Sequence, residues 1–189
     1  MVLLHVKRGD ESQFLLQAPG STELEELTVQ VARVYNGRLK VQRLCSAPNE
    51  KMKQVLKKTI EEAKAIISKK QVEAGVCVTM EMVKDALDQL RGAVMIVYPM
   101  GLPPYDPIRM EFENKEDLSG TQAGLNVIKE AEAQLWWAAK ELRRTKKLSD
   151  YVGKNEKTKI IAKIQQVSTF CFNVSVVFVI SLQTDKNVQ

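Results

Sequence analysis

The sequence has few of the residues that most metal and catalytic sites require. It contains one histidine, His5, and three cysteines, and no two cysteines form a CxxC pair. Such a set does not supply the usual four ligands of a zinc site within one chain. An odd cysteine count, with no secretory leader at residues 1–5, indicates a reducing, cytosolic setting. The cysteines are Cys45, Cys77 and Cys171.

Catalytic motifs are also missing from the sequence. There is no Gly-rich phosphate loop and no GxxxxGK[ST] pattern. A Ser/His/Asp or Cys/His arrangement would have to use His5, which lies among apolar residues of a predicted strand, where a structural histidine is expected. We therefore predict an interaction module rather than an enzyme, with no catalytic residue, no cofactor site and no metal ligand.

No stretch of the chain is long and apolar enough to predict a membrane span. Residues 167–184 carry no charge, but the segment is short and contains several polar residues. We predict an atypical tail over 167–189, either unstructured or poorly packed. The balance of 28 Lys+Arg against 23 Asp+Glu gives a net charge of +5, which suits acidic partners but is too weak to indicate nucleic-acid binding.

The first 44 residues predict the start of a ubiquitin-like β-grasp fold of the α+β class. Two apolar runs around Arg8-Gly9-Asp10 indicate a β-hairpin, because glycine tolerates the positive φ of such turns. Thr22 and Glu25 predict a capping box that starts a helix, and Asn36-Gly37 predicts its end. The alternation over residues 38–44 predicts a third strand.

Two inserted helices are predicted near residues 49–70 and 79–91, the second capped by Thr79 and stopped by Gly92. A β-grasp needs a last strand beside the first, and the apolar run 93–97 is the candidate for it. Residues 1–98 are therefore predicted to form the grasp domain with its inserted helices.

Four of the six prolines lie between Tyr98 and Pro107. Proline fixes φ and lacks an N–H donor, so this segment predicts a stiff connector, which we place at residues 99–118. The segment serves either as a structural corner or as a partner surface centred on Tyr98 and Tyr105.

Residues 119–166 predict a helical region, with one long helix over 119–148 and a short one over 157–166. Trp136 and Trp137 are adjacent, so they point in different directions on a helix. One is expected in the core and the other at a boundary or a partner surface. Arg143 and Arg144 complement the negative end of the helix dipole, or belong to a binding surface.

Lysines dominate the polar positions of residues 51–70 and of the run 143–147. Such faces are usually solvated, and the alternative is a site for an acidic partner. A basic adaptor that binds acidic polymers such as tubulin tails or RNA is therefore the alternative function, and salt should weaken its binding steeply.

Three segments together closely resemble the Kurly family of cilia- and flagella-associated proteins: residues 1–10, 98–109 and 133–142. The resemblance implies a non-enzymatic protein of the cytoplasm and the cilium basal body. It implies roles in outer dynein arm assembly, cilium movement, and cilia positioning and polarity. It also implies partners among cytoplasmic dynein-arm assembly factors, including one of the MYND zinc-finger type, and it carries no catalytic or cofactor residues.

Two departures from the family pattern indicate a splice variant. The resemblance covers residues 1–46 and 47–166, but the family has a further stretch between Ser46 and Ala47. It also continues differently after Gln166. Because the missing stretch would follow the third predicted strand, closure of the grasp is expected to be impaired in this chain.

Overall fold

The computed structural model describes residues 1–155 and 157–167. The predicted tail therefore lies, beyond Val167, outside the described residues. In chain order the described elements are β1 (Val2–Arg8), β2 (Glu11–Ala18), α1 (Leu24–Ser46), α2 (Glu50–Val55), α3 (Lys57–Ile67), α4 (Lys70–Glu73), α5 (Met80–Val97), α6 (Pro107–Phe112), α7 (Gln122–Asn126), β3 (Ala133–Trp137), β4 (Lys140–Glu141), α8 (Ser149–Val152) and β5 (Lys159–Gln166).

The five strands form one mixed sheet in the order β2-β1-β5-β3-β4. The central pair, β1 and β5, is parallel, and the other pairs are antiparallel. A hairpin followed by a helix, with a last strand running parallel to the first, is the ubiquitin-like β-grasp arrangement. The predicted α+β class is therefore confirmed, and so is the opening hairpin, in which Gly9 has φ +60°.

The chain between β2 and β3 supplies a second layer of helices beyond α1. α3 and α5 pack against α1 and against each other. Gly37 lies where α1 meets α5, and a Cβ there would lie 2.7 Å from Cγ1 of Val83. The side of α1 that faces away from the sheet is thus covered, which explains why buried residues occur along the whole length of this helix, from Leu24 to Cys45.

The predicted strand over residues 38–44 is wrong, because α1 continues to Ser46. Helical spacing persists past Gly37, with Val34, Arg38, Val41 and Leu44 all buried. Asn36-Gly37 is therefore the middle of a helix and not its end. The predicted capping box is wrong as well, since Glu23 is the N-cap residue and caps through no side-chain hydrogen bond.

The inserted helices are present with different limits. The predicted helix over 49–70 is three short helices, α2 to α4, of which α2 is capped by the Asn49 side chain. Thr79 caps α5 as predicted, accepting from Met82 N at 3.3 Å. The predicted strand over 93–97 is wrong: α5 runs through Gly92 to Val97, and Val94 continues its buried stripe.

The long helix predicted over 119–148 is wrong, because these residues contain the short helix α7 and the hairpin β3–β4. The helix predicted over 157–166 is wrong too, because Ile160, Ala162 and Ile164 alternate with exposed residues as β5. The sheet therefore takes strands from both sides of the boundary predicted at residue 98. It also closes in this chain, since none of its strands comes from the neighbourhood of Ser46.

Candidate interaction surface

The sheet has one face against α1 and one face whose side chains reach solvent. On β5, Ile160, Ala162 and Ile164 are buried on the helix side, whereas Lys159, Ile161 and Lys163 are exposed on the other. His5 lies beside Ile161 in the β1–β5 register, and Trp136 lies beside Lys163 in the β3–β5 register. We call Leu3, His5, Lys7, Trp136, Lys159, Ile161 and Lys163 the open face.

The open face has an apolar centre within a shallow concavity of about 710 Å³. Ile161 is 48% exposed, which is unusual for a large aliphatic side chain in the middle strand of a sheet. Trp136 is half-buried, and its indole N–H donates to Oε1 of Gln134 at 3.4 Å. An aromatic anchor beside an exposed isoleucine is typical of the centre of a protein interface.

The charge of the open face is positive. Lys163 pairs with Asp10 at 3.2 Å, and both groups are largely exposed. Lys7 and Lys159 have no ion pair among the residues that the structure describes. His5 shares a 2.9 Å hydrogen bond with the Ser12 hydroxyl, and burial lowers its pKa, which Lys7 and Lys159 lower further. The face is therefore suited to an acidic segment that carries an apolar side chain.

The structure separates the two tryptophans by strand alternation and not by helix rotation. Trp137 points to the other side of β3 from Trp136 and packs against the core beside Ala133 and Leu135. Both tryptophans are half-buried: Trp137 packs against the edge of the core, and Trp136 lies on the open face. The role of Trp136 in binding stays a prediction.

The proline segment leads from α5 to α6, and Asp106 caps α6 with Pro107 at its first position. Tyr98 follows the last residue of α5, is half-buried, and lines a groove of about 500 Å³ with Met100 and Phe112. Tyr105 does not line this groove and is 91% exposed. The structure therefore gives the two tyrosines different surroundings, and their part in binding stays a prediction.

Arg144 and Arg143 lie in the loop after β4 and not at a helix end. Arg144 pairs with Glu25 at 2.7 Å and donates to the carbonyl oxygens of Glu130 and Ala133. These bonds attach the loop to α1 and β3, so Arg144 has a structural role. Arg143 has an exposed side chain, and its backbone N–H donates to the Tyr151 hydroxyl at 3.1 Å.

Sequence reasoning missed the polar residues by which α1 binds its neighbours, of which Asn36 and Arg43 are half-buried and Arg38 is buried. Asn36 donates to the Ile128 carbonyl at 2.7 Å and accepts from the Ile128 N–H at 3.0 Å. Arg43 pairs with buried Glu111 at 2.6 Å. Arg38 is buried within the apolar stripe of the same helix. The sequence does contain a signal for Arg38, because this charged residue occupies a position that helical spacing assigns to the core.

Within residues 1–155 and 157–167, no group of three or more His, Cys, Asp or Glu side chains is placed to hold a metal ion. No helix of that part of the chain is both long and apolar enough to cross a membrane.

Comparison with known proteins gives a consistent result. Residues 133–171 match the sequence model of the family described as "Cilia- and flagella-associated protein 298". The protein of that name from Homo sapiens is 75% identical over 222 residues, which cover 88% of this chain and 77% of the human protein. The Mus musculus protein is 70% identical with the same coverage. The Drosophila melanogaster protein is 33% identical over 223 residues, again with 88% and 77% covered. No solved structure matches the chain.

Proposed function

Since the chain belongs to the cilia- and flagella-associated protein 298 family, which implies a ciliary role, we propose that it supports outer dynein arm assembly. In this proposal the protein is non-enzymatic, acts in the cytoplasm and at the cilium basal body, and also contributes to cilia positioning and polarity. Its partners are cytoplasmic dynein-arm assembly factors, one of them of the MYND zinc-finger type. We equate this family with the Kurly family that the sequence resembles.

One observation of the structure carries the binding part of the proposal, namely the apolar and basic open face. Its centre is Trp136 with Ile161, and its lysines include two without an ion pair in the described part of the chain. Such a surface favours binding to another protein over chemistry on a small molecule, because it offers contact area and charge but no enclosed site. We propose that an assembly factor binds here through an acidic segment with an apolar anchor.

Cells that lack the protein test the assembly role. We expect cilia that form but beat poorly, with outer arms missing from electron-microscopic cross-sections. Normal outer arms in such cells would contradict the proposal, whatever the protein binds.

Affinity purification from ciliating cells tests the binding surface. Replacing Lys159 and Lys163 by Glu reverses two charges of the open face, and both side chains are exposed, so the fold should persist. We expect this variant to lose the assembly factors. The matched control replaces Lys51 and Lys57, two exposed lysines of α2 and α3, by Glu. Equal losses from both variants would show that net charge, and not the open face, determines binding.

A second candidate function is binding to acidic polymers such as tubulin tails or RNA. It is favoured by exposed lysines of α2 to α4, of which Lys51, Lys57 and Lys70 have no ion pair in the described part of the chain. The affinity should then fall steeply with salt, and the Lys51→Glu/Lys57→Glu variant should lose it. An affinity that is equal at low and high salt would contradict this function.

We further propose that the chain is a splice variant that lacks an internal stretch after Ser46 and has a replaced sequence after Gln166. The match to the human protein spans 222 residues, whereas 88% of 189 residues is about 166, so the human protein carries additional residues within the matched region. Ser46 is the last residue of α1, so the proposed junction falls between elements and not inside one. Transcript sequencing across the Ser46–Ala47 junction tests this proposal.

A further inference from the structure

Arg38 is a buried cation on the core side of α1, with only 7% of its surface exposed. Its Nε and Nη2 donate to the Ile67 carbonyl at 3.1 and 2.8 Å. The guanidinium carbon lies 5.2 Å from the centre of the Phe14 ring. Ile67 is the last residue of α3, so the accepting carbonyl belongs to the negative end of that helix. These contacts fix the position of the guanidinium.

The contacts do not neutralise the charge of Arg38. No Asp or Glu of the described residues lies within ion-pair distance of it, and the only bond of Nη1 is a 3.5 Å contact to Oε1 of Gln13. Burial lowers the pKa of the guanidinium to about 10. A guanidinium has five N–H donors, and Ile67 accepts from two nitrogens only. Donors on Nη1 therefore remain for another acceptor.

Arg38 lines a cavity of about 230 Å³ between α1, β2 and the end of α3, which we call the Arg38 cavity. Lys64 and Lys69 line it as well, and Gln13 and Ser68 add neutral hydrogen-bonding groups. None of the described residues that line it is acidic. Three cations thus line the cavity, and of these Lys69 pairs at 2.9 Å with Glu11, which does not line it.

We propose that the Arg38 cavity binds a phosphate group. A phosphate carries close to two negative charges at neutral pH and has three acceptor oxygens, so it can bond to the arginine and to both lysines at once. A carboxylate brings one charge and two oxygens and would leave part of the positive charge uncompensated. Inorganic phosphate and a phosphorylated side chain share the chemistry that this cavity recognises.

Nuclear magnetic resonance titration of the full chain tests the site directly. With inorganic phosphate at constant ionic strength, we expect saturable shifts of the Arg38 Nε–H signal and of the Ser68 and Lys69 amide signals. Phosphate should shift them at concentrations roughly tenfold lower than acetate does. Absence of a saturable shift, or equal effects of acetate and phosphate, would overturn the proposal.

Lys64 and Lys69 form the rim of the cavity. Variants of these lysines leave the buried Arg38 in place, so a loss of binding does not reflect unfolding. Lys64→Ala/Lys69→Ala should weaken phosphate binding roughly tenfold or more. The control Lys51→Ala/Lys57→Ala removes two lysines that do not line the cavity and should leave binding unchanged. Glu11→Gln should strengthen binding, because Glu11 pairs with Lys69 at 2.9 Å. Equal losses from the rim and control variants would overturn the proposal, since they would reflect net charge alone.

A second probe, N-acetyl-phosphoserine amide, distinguishes a phosphorylated side chain from free inorganic phosphate as the ligand. Tighter binding of this probe than of inorganic phosphate supports a phosphorylated side chain, and tighter binding of inorganic phosphate supports a free anion. If Arg38 serves only to cap α3, neither probe binds, and that result would overturn the proposal.

Discussion

At the scale of single residues, Gly37 determines how closely two helices approach. It lies inside α1, where glycine costs about 1 kcal/mol relative to alanine. The position nevertheless requires the absence of a side chain, because an added Cβ would lie 2.7 Å from Cγ1 of Val83. The β-branched Val83 has little rotamer freedom in a helix and cannot move aside easily.

We predict that Gly37→Ala destabilises the protein by about 1–3 kcal/mol, because overpacking outweighs the gain in helix propensity. Gly92→Ala is the matched control: Gly92 lies inside α5 with no atom within 4 Å of an added Cβ, so this change should stabilise by about 1 kcal/mol. Urea unfolding measures both values. A stabilising Gly37→Ala, or effects of Gly37→Ala and Val83→Ala that simply add in a double-mutant cycle, would contradict the packing explanation.

His5 provides a pH-dependent test of the open face, because it is the only histidine of the chain. Burial, then Lys7 and Lys159, lower its pKa below 6.5 in the folded state. The unfolded chain therefore takes up the proton first as pH falls through about 6.5. The contribution of His5 to stability is complete above that pH and is lost as pH falls toward the folded-state pKa.

We predict that a nuclear magnetic resonance titration gives a pKa below 6.5 for the folded imidazole. Lys159→Gln should raise that pKa part of the way, because burial is the larger cause. Lys51→Gln, on α2, should leave it unchanged. A pKa at or above 6.5 in the wild-type protein would contradict the described burial of His5, and a pKa that Lys159→Gln leaves unchanged would show that this lysine does not face it.

At the scale of elements, the hairpin β3–β4 explains why a helix was predicted where a sheet forms. Its two-residue turn consists of Ala138 and Ala139, with φ of 48° and 60°. Both values are positive, as in type I′ turns, which normally use Asn and Gly. Alanine is a strong helix former, so the sequence carries a helical signal at the very residues that reverse the chain.

We predict that Ala138→Asn/Ala139→Gly stabilises the protein by about 1–2 kcal/mol, because both new residues tolerate left-handed backbone at lower cost. Ala65→Gly, at an exposed position of α3, is the control and should destabilise by about 1 kcal/mol. Thermal or urea unfolding measures the difference. A destabilised Asn-Gly variant would contradict the turn geometry.

Several errors of sequence interpretation share one physical cause, which is that packing outweighed local signals. Asn36-Gly37 has the composition of a helix end, yet Asn36 binds the backbone of Ile128 and Gly37 accommodates Val83. Neither partner is identifiable from the neighbouring sequence. The hairpin β1–β2 and the Thr79 cap were predicted correctly because both depend on residues close in sequence. The alternation of β5 was present in the sequence but was interpreted as a helix.

In the candidate site too, features that depend on neighbouring residues could be predicted, and features that depend on distant residues could not. The adjacent tryptophans predicted one core residue and one residue at a boundary or a partner surface, and the structure leaves both half-buried, with Trp137 against the edge of the core and Trp136 on the open face. The lysines that surround Trp136 come from β1 and β5, more than 150 residues apart in places. Their proximity depends on the parallel pairing of the first and last strands and has no local signal. Arg144 shows a different error. Its basic run predicted a helix end or a binding surface, but its side chain bonds to Glu25 and to two backbone carbonyls.

At the scale of the whole molecule, the ubiquitin-like sheet joins the two ends of the described chain. β1 pairs with β5, and these two strands supply most of the open face. The Arg38 cavity lies between α1, β2 and the end of α3. The molecule therefore presents two separate candidate sites, one for a protein partner on the open face of the sheet and one for a phosphate beside its first helix.

The most direct test of the central claim is a rescue experiment in multiciliated cells that lack the protein. Outer dynein arms are counted in cross-sections after expression of this chain, of its Lys159→Glu/Lys163→Glu variant, or of the Lys51→Glu/Lys57→Glu control. We predict that the chain and the control restore the arms and that the open-face variant, present at an equal level, does not. Full restoration by the open-face variant, or normal arms before any rescue, would contradict the account.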